Sequence, residues 1–245
     1  MSLIRVLRAE MLKLKRTLAF RMVFVAPLLV ATLQFFIIWN QKRFGASFNL
    51  WETLPKGMLA VWAVFMLPLL ITLETALING VEHGEKQWKQ IFALPIPRYA
   101  VYTAKLLVAQ ALAAASTLIL CALTVLAGLS IARLRPDLPN TSAIPYVWIL
   151  KHAAFVWLAA WLIISIHTWV SIRWPGFALA LGAGIGGTFF AIFAASARMG
   201  KYYPWLLPVN VFTEGRFATA LLLGAVGGVV AAVIGCVEFV RRDVV

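Results

Sequence analysis

With 245 residues, 62% of them hydrophobic, and a mean hydropathy of +0.90, the chain cannot be an ordinary soluble domain. The net charge of +13 could suggest nucleic acid, but the basic residues stand mostly beside apolar runs, where they anchor helices to lipid headgroups and set topology. Cys121 and Cys236 both fall inside apolar runs and read as small core residues, not as a disulfide or a metal site.

Residues 2–17 read as a basic amphipathic helix lying in the membrane interface. Leu3, Leu7, Met11, Leu14 and Leu18 fall within an arc of roughly 80° at helical spacing. Arg5, Arg8, Lys15 and Arg16 take the opposite side. Glu10 borders the apolar arc, where it either pairs with a cation on another helix or is solvated. The first apolar run follows this segment without a small-x-small cleavage pattern and is expected to be retained as a span.

Window counting predicts an all-α integral membrane protein, one transmembrane domain over 1–245. Its six spans lie near 18–39, 57–80, 101–130, 148–171, 176–195 and 217–239. The third is long enough to tilt or to project beyond the bilayer. With an even number of spans and the larger share of the 22 Lys and Arg on the N-terminal side, both termini are expected in the cytoplasm. The connection before the sixth span carries Tyr202, Tyr203, Pro204, Trp205 and Pro208 and reads as a segment at headgroup level. Trp148, Trp157, Trp161 and Trp169 recur at near-helical spacing on the fourth span and read as lipid or core packing. Gly182 with Gly186, and Gly224 with Gly228, make small-xxx-small patterns that mark close helix contacts, within or between subunits.

Catalytic signatures are missing from the sequence. It contains no G-x-x-x-x-G-K-[ST] phosphate loop, no H-E-x-x-H and no G-x-S-x-G, and His83, His152 and His167 lack metal-ligand spacing. Candidate ionisable groups near the membrane midplane are few: Glu74, His167 and Glu238 all stand toward the cytoplasmic ends of their spans, and Lys151 and His152 toward the outer end of theirs. A self-sufficient ion-coupled carrier or channel, or a membrane-embedded enzyme, would need polar groups at the span centres, which are sparse here.

The chain is organised around residues 74–107, which contain a cytoplasmic loop over 81–100. Glu85 to Leu94 can form a short helix, stopped by Pro95 and Pro97. Trp88, Ile91 and Phe92 recur at i, i+3 and i+4, while Glu85, Lys86, Lys89 and Gln90 make the opposite face polar. On physical grounds this helix either fills a protein groove or lies on lipid.

This stretch resembles the coupling loop of ABC (ATP-binding-cassette) transporter permeases of the type-2 exporter class, in particular those of lantibiotic-immunity and bacitracin-export systems. An acidic residue in the second span, Glu74, precedes E-x(5)-W-K-x-(L/I)-x-x-x-P-x-x-R at Glu82, Trp88, Lys89, Ile91, Pro95 and Arg98. Tyr102, Lys105, Leu106 and Leu107 then open the third span. The N-terminal R-A-E-M-L-K-L-K-R, residues 8–16, is similar to the family's opening segment. The resemblance implies a dimerising permease without its own cofactor, bound to separate ATPase subunits that carry ATP and Mg, in a bacterial cytoplasmic membrane. It also implies that Trp88, Ile91 and Phe92 anchor the ATPase, and that Glu82, Glu85, Lys89 and Arg98 contact it or brace the N-terminal helix. Pro95 and Pro97 would hold the angle after Leu94. Glu74 is expected to act as a brace satisfied by Arg98, Lys105 or an N-terminal cation, in preference to a substrate or ion site.

Overall fold

A computed structural model describes residues 3–15, 17–42, 48–84, 90, 93 and 95–241. Every regular element among them is helical. Six helical stretches are long and apolar enough to cross a membrane: Leu18–Trp39, Leu50–His83, Arg98–Leu134, Tyr146–Arg173, Phe177–Ala194 and Phe217–Arg241. The all-α membrane fold read from the sequence is the one observed.

The second and third spans run longer than window counting placed them. Asn49 starts the second early, its side chain accepting from the Trp51 amide at 3.1 Å, as an N-cap does. Helix α3 (Leu50–Val61) continues through a π turn, Trp62–Met66, into α4 (Leu67–Gly84). Pro68 follows that turn, lacks an N–H and would crowd the carbonyl four residues back, so one wide turn relieves the conflict. The third span is a single helix, α5 (Arg98–Leu134), of 37 residues. At 1.5 Å per residue it is about 55 Å long, well beyond the hydrocarbon thickness. It starts after Pro97 and ends before Pro136.

Helix α1 (Leu3–Leu14) precedes the first span, α2 (Leu18–Trp39), whose start is capped by Thr17. The buried stripe of α1 is Val6, Glu10 and Leu14, while Met11 is exposed. This corrects the sequence-derived arc: Glu10 is central to the buried face, not at its edge. The reason is that α1 packs on protein through this face. Val6 joins Ala100, Val101, Tyr102, Ala104, Ile172 and Phe239 in one apolar cluster.

The fourth span is broken at Ala160 into α6 (Tyr146–Ala159) and α7 (Trp161–Arg173). The sixth is α10 (Phe217–Leu222), a π turn and α11 (Gly228–Arg241). They cross where Gly224 and Gly228 lie. A Cβ on Gly224 would sit 2.4 Å from the Cα of Ala159, and one on Gly228 would sit 2.8 Å from the carbonyl carbon of Trp161. Ser165 donates to the Gly228 carbonyl at 2.8 Å across the same crossing.

On the fifth span, α8 (Phe177–Ala194), the close approaches within the chain are those of Gly184, which faces Thr72, and Gly187, which faces Trp205. A Cβ on Gly182 or Gly186 would meet nothing of this chain within 4 Å. Spacing alone could not tell which stripe of this glycine-rich helix turns inward.

The connection from the fifth to the sixth span is anchored on the bundle. Tyr203 donates to the Gly187 carbonyl at 2.9 Å, and the Trp205 ring meets His167 edge-on at 5.6 Å. Gly187 lies seven residues, about 10 Å, below the end of its helix. The segment therefore folds back against the fifth span and packs into the helix bundle. Leu206, Leu207 and Val211, around the short α9 (Leu207–Asn210), are buried there.

Candidate functional site

Two glutamates and two lysines close a ring where α1, the end of α4 and the start of α5 meet. Lys13 Nζ lies 2.7 Å from Glu10 Oε1 and 2.9 Å from Glu82 Oε1. Lys105 Nζ lies 3.0 Å from Glu10 Oε2 and 2.9 Å from the same Glu82 oxygen. The charges cancel. The side chains of Lys105 and Glu82 are 0% exposed and that of Lys13 is 40% exposed, so the ring is dry on its inner side and wet at one corner. Partial burial disfavours the Lys13 ammonium, but its hydrogen bonds to Glu10 and Glu82 outweigh this and raise its pKa above the ordinary lysine value.

Helical spacing builds this ring. Glu10 and Lys13 are three residues apart on one face of α1. Glu82 is in the last turn of α4, and Lys105 is two turns into α5, where its ammonium also approaches the Ile78 carbonyl at 3.5 Å. Glu82 Oε2 is buried without a hydrogen-bond partner.

The ring sits at the root of the loop. Glu82 is among its first residues and Lys105 lies just after its last, so both ends of the loop are tied to α1. Two further contacts fix the same region. His83 Nε2 is 3.0 Å from the Ser171 carbonyl on α7, and Arg98 Nη1 donates to the Val240 carbonyl on α11 at 3.1 Å. Pro97 caps α5, and Pro95 is exposed. Glu85, Trp88, Lys89, Ile91, Phe92 and Leu94 lie outside the described residues. Gln90 and Ala93, from the same stretch, are helical and exposed.

Among the described residues, six helices are long and apolar enough to cross a membrane, and this charged ring joins two of them at the root of the loop. The family model described as ABC-2 family transporter protein matches residues 6–194. The chain belongs to the ABC-2 transporter family. No curated protein matches it. This ABC-2 permease is thus a multi-pass transporter component, and the matched region contains all four members of the ring.

Glu74 of the permease has none of the partners expected for it. It is buried, and its Oε1 accepts no hydrogen bond. Lys105 makes its ion pairs with Glu10 and Glu82, and Arg98 reaches Val240. Glu74 shares a helix face with Ile78 and Glu82 but lies two turns, about 12 Å, deeper. The cations near the loop meet the nearer carboxylate first.

Two features of the permease were missed in the sequence. Lys13 was read only as a topology signal, although its position three residues after Glu10 was visible. The second is a polar seam between α4 and α7. Thr72 Oγ1 lies 3.4 Å from His167 Nε2, and Asn79 donates to Ser171 Oγ at 2.8 Å. Thr72, Asn79 and His83 recur at one face of α4, a spacing hidden among apolar neighbours. Glu238 accepts from Arg173 Nε at 2.9 Å and from the Trp169 indole.

Proposed function

We propose that this permease is the membrane half of an ATP-driven exporter, powered by separate ABC ATPase subunits seated on the loop over 81–100. The observation that carries the reading is the Glu10–Lys13–Glu82–Lys105 ring. A load applied to the loop reaches the second span, the third span and α1 together, because all three share these charges. Trp88, Ile91 and Phe92 supply the buried anchor for the ATPase, and Glu85, Lys89 and Arg98 the polar contacts around it. ATP and Mg bind the partner chain. A second permease copy, or a paralogue, completes the pathway, and both termini face the cytoplasm of a bacterial cell. An amphipathic cargo such as a peptide antibiotic suits the apolar, aromatic interior, in keeping with the resemblance to lantibiotic-immunity and bacitracin-export permeases.

The deciding experiment is co-purification with the ATPase, followed by transport in vesicles. The wild type should bring the ATPase with it and move cargo only with ATP, and Trp88→Ala should weaken the complex. Transport by the purified permease alone, driven by an ion gradient, would overturn the proposal.

A further inference from the structure

At the membrane face that carries the loop, α7 and α11 enclose a groove with the chemistry of a phospholipid. The groove is shallow and open, about 460 Å³, and is lined by Arg173, Ile234, Val237, Glu238 and Arg241. Along α11, Val230, Ile234 and Val237 are exposed and recur at i, i+4 and i+7; Arg241 follows at i+11. An aliphatic stripe of this kind, ending in a cation at the helix terminus, matches an acyl chain ending in a phosphate.

Charge selects the headgroup. Arg173 and Arg241 line the groove, and Arg98 reaches the backbone of Val240 beside it. Among the described residues lining the groove the one carboxylate, Glu238, is already engaged by Arg173 Nε and the Trp169 indole. The excess is positive. Behind the groove, a cavity of only about 10 Å³ shares Arg173 and Glu238 with it and is also lined by Tyr102. The Tyr102 hydroxyl is buried without a hydrogen-bond partner. A buried hydroxyl with no partner points to an acceptor supplied from outside the chain, and a single water between it and the groove would serve.

We infer that the groove between α7 and α11 binds an anionic membrane phospholipid, its phosphate at Arg173 and Arg241 and one acyl chain along Val230, Ile234 and Val237. This site is independent of the transport reading and needs neither ATPase nor cargo.

The test uses the intact permease in nanodiscs of phosphatidylcholine with a minority of phosphatidylglycerol, and native mass spectrometry of the lipid that stays bound. The wild type should retain phosphatidylglycerol preferentially. Each arginine near a membrane surface contributes enough that Arg241→Gln should lower retention about fivefold, and Arg173→Gln with Arg241→Gln about thirtyfold. Lys201→Gln, at the opposite face, should change nothing. Arg173 also holds Glu238, so its loss could disturb folding; Arg241→Gln alone carries the test in that event. Equal retention of both lipids by the wild type, or full retention of phosphatidylglycerol by Arg241→Gln, would overturn the site. Displacement of the lipid by inorganic phosphate alone would make it a soluble-anion site and also defeat the proposal.

Discussion

Lys105 Nζ stands 3.0 Å from Glu10 Oε2, joining the third span to a helix 95 residues earlier in the chain. Both groups are buried, and both also serve a second partner. Removing one member of such a pair leaves the other charged in a dry site and costs about 3–5 kcal/mol. Lys105→Met should therefore lower the thermal stability of the purified permease by several degrees. Glu10→Gln should do so as well, and combining the two should cost clearly less than the sum. Additive losses in that double-mutant cycle would mean that the two residues do not interact.

Lys13 is the ring's exposed corner, 40% exposed where Lys105 is fully buried, and water can take over part of its role, so its loss costs less than that of Lys105. Lys13→Met should be mild. Its pKa in the folded chain is raised, so its stabilising effect is complete below the ordinary lysine pKa and fades as pH climbs through the raised value. Thermal melts of wild type and Lys13→Met should differ at neutral pH and converge in strong alkali. A gap that widens with alkali would contradict the pairing.

The glycines separate two kinds of close packing. Gly224→Ala would drive a methyl group into the Ala159 backbone, which cannot yield as a side-chain end can. A loss of about 1–3 kcal/mol is expected, or a poorly folded product. Gly182→Ala meets open space and should leave the melting temperature within a degree or two. Equal effects at the two positions would refute the crossing described here.

Trp205 reports the depth of the segment between the fifth and sixth spans. In a background with Cys121 and Cys236 replaced by alanine, Trp205→Cys should react slowly with a membrane-impermeant maleimide. Met199→Cys, at an exposed position, should react quickly. Fast labelling at both would mean that the segment does not pack into the bundle.

The loop shows how far the sequence could be read. The charged residues at its root, Glu82 and Lys105, were visible, because charges in an apolar chain have few places to be. Their mutual pairing was not visible. Lys105 had been offered to Glu74, and only the relative depth of α4 and α5 assigned it to Glu82 and Glu10. The same limit applied to α8, where several glycines share one helix and no local signal says which face turns inward.

By itself, then, the sequence determined the membrane solvent, the number of spans and the position of the polar loop, since each follows from runs of transfer free energy along the chain. Only the tertiary structure decided which charges meet, which glycines admit a neighbouring backbone and how deep Trp205 lies. Those depend on the rotation and offset of whole helices, which many weak contacts set together and no single residue encodes.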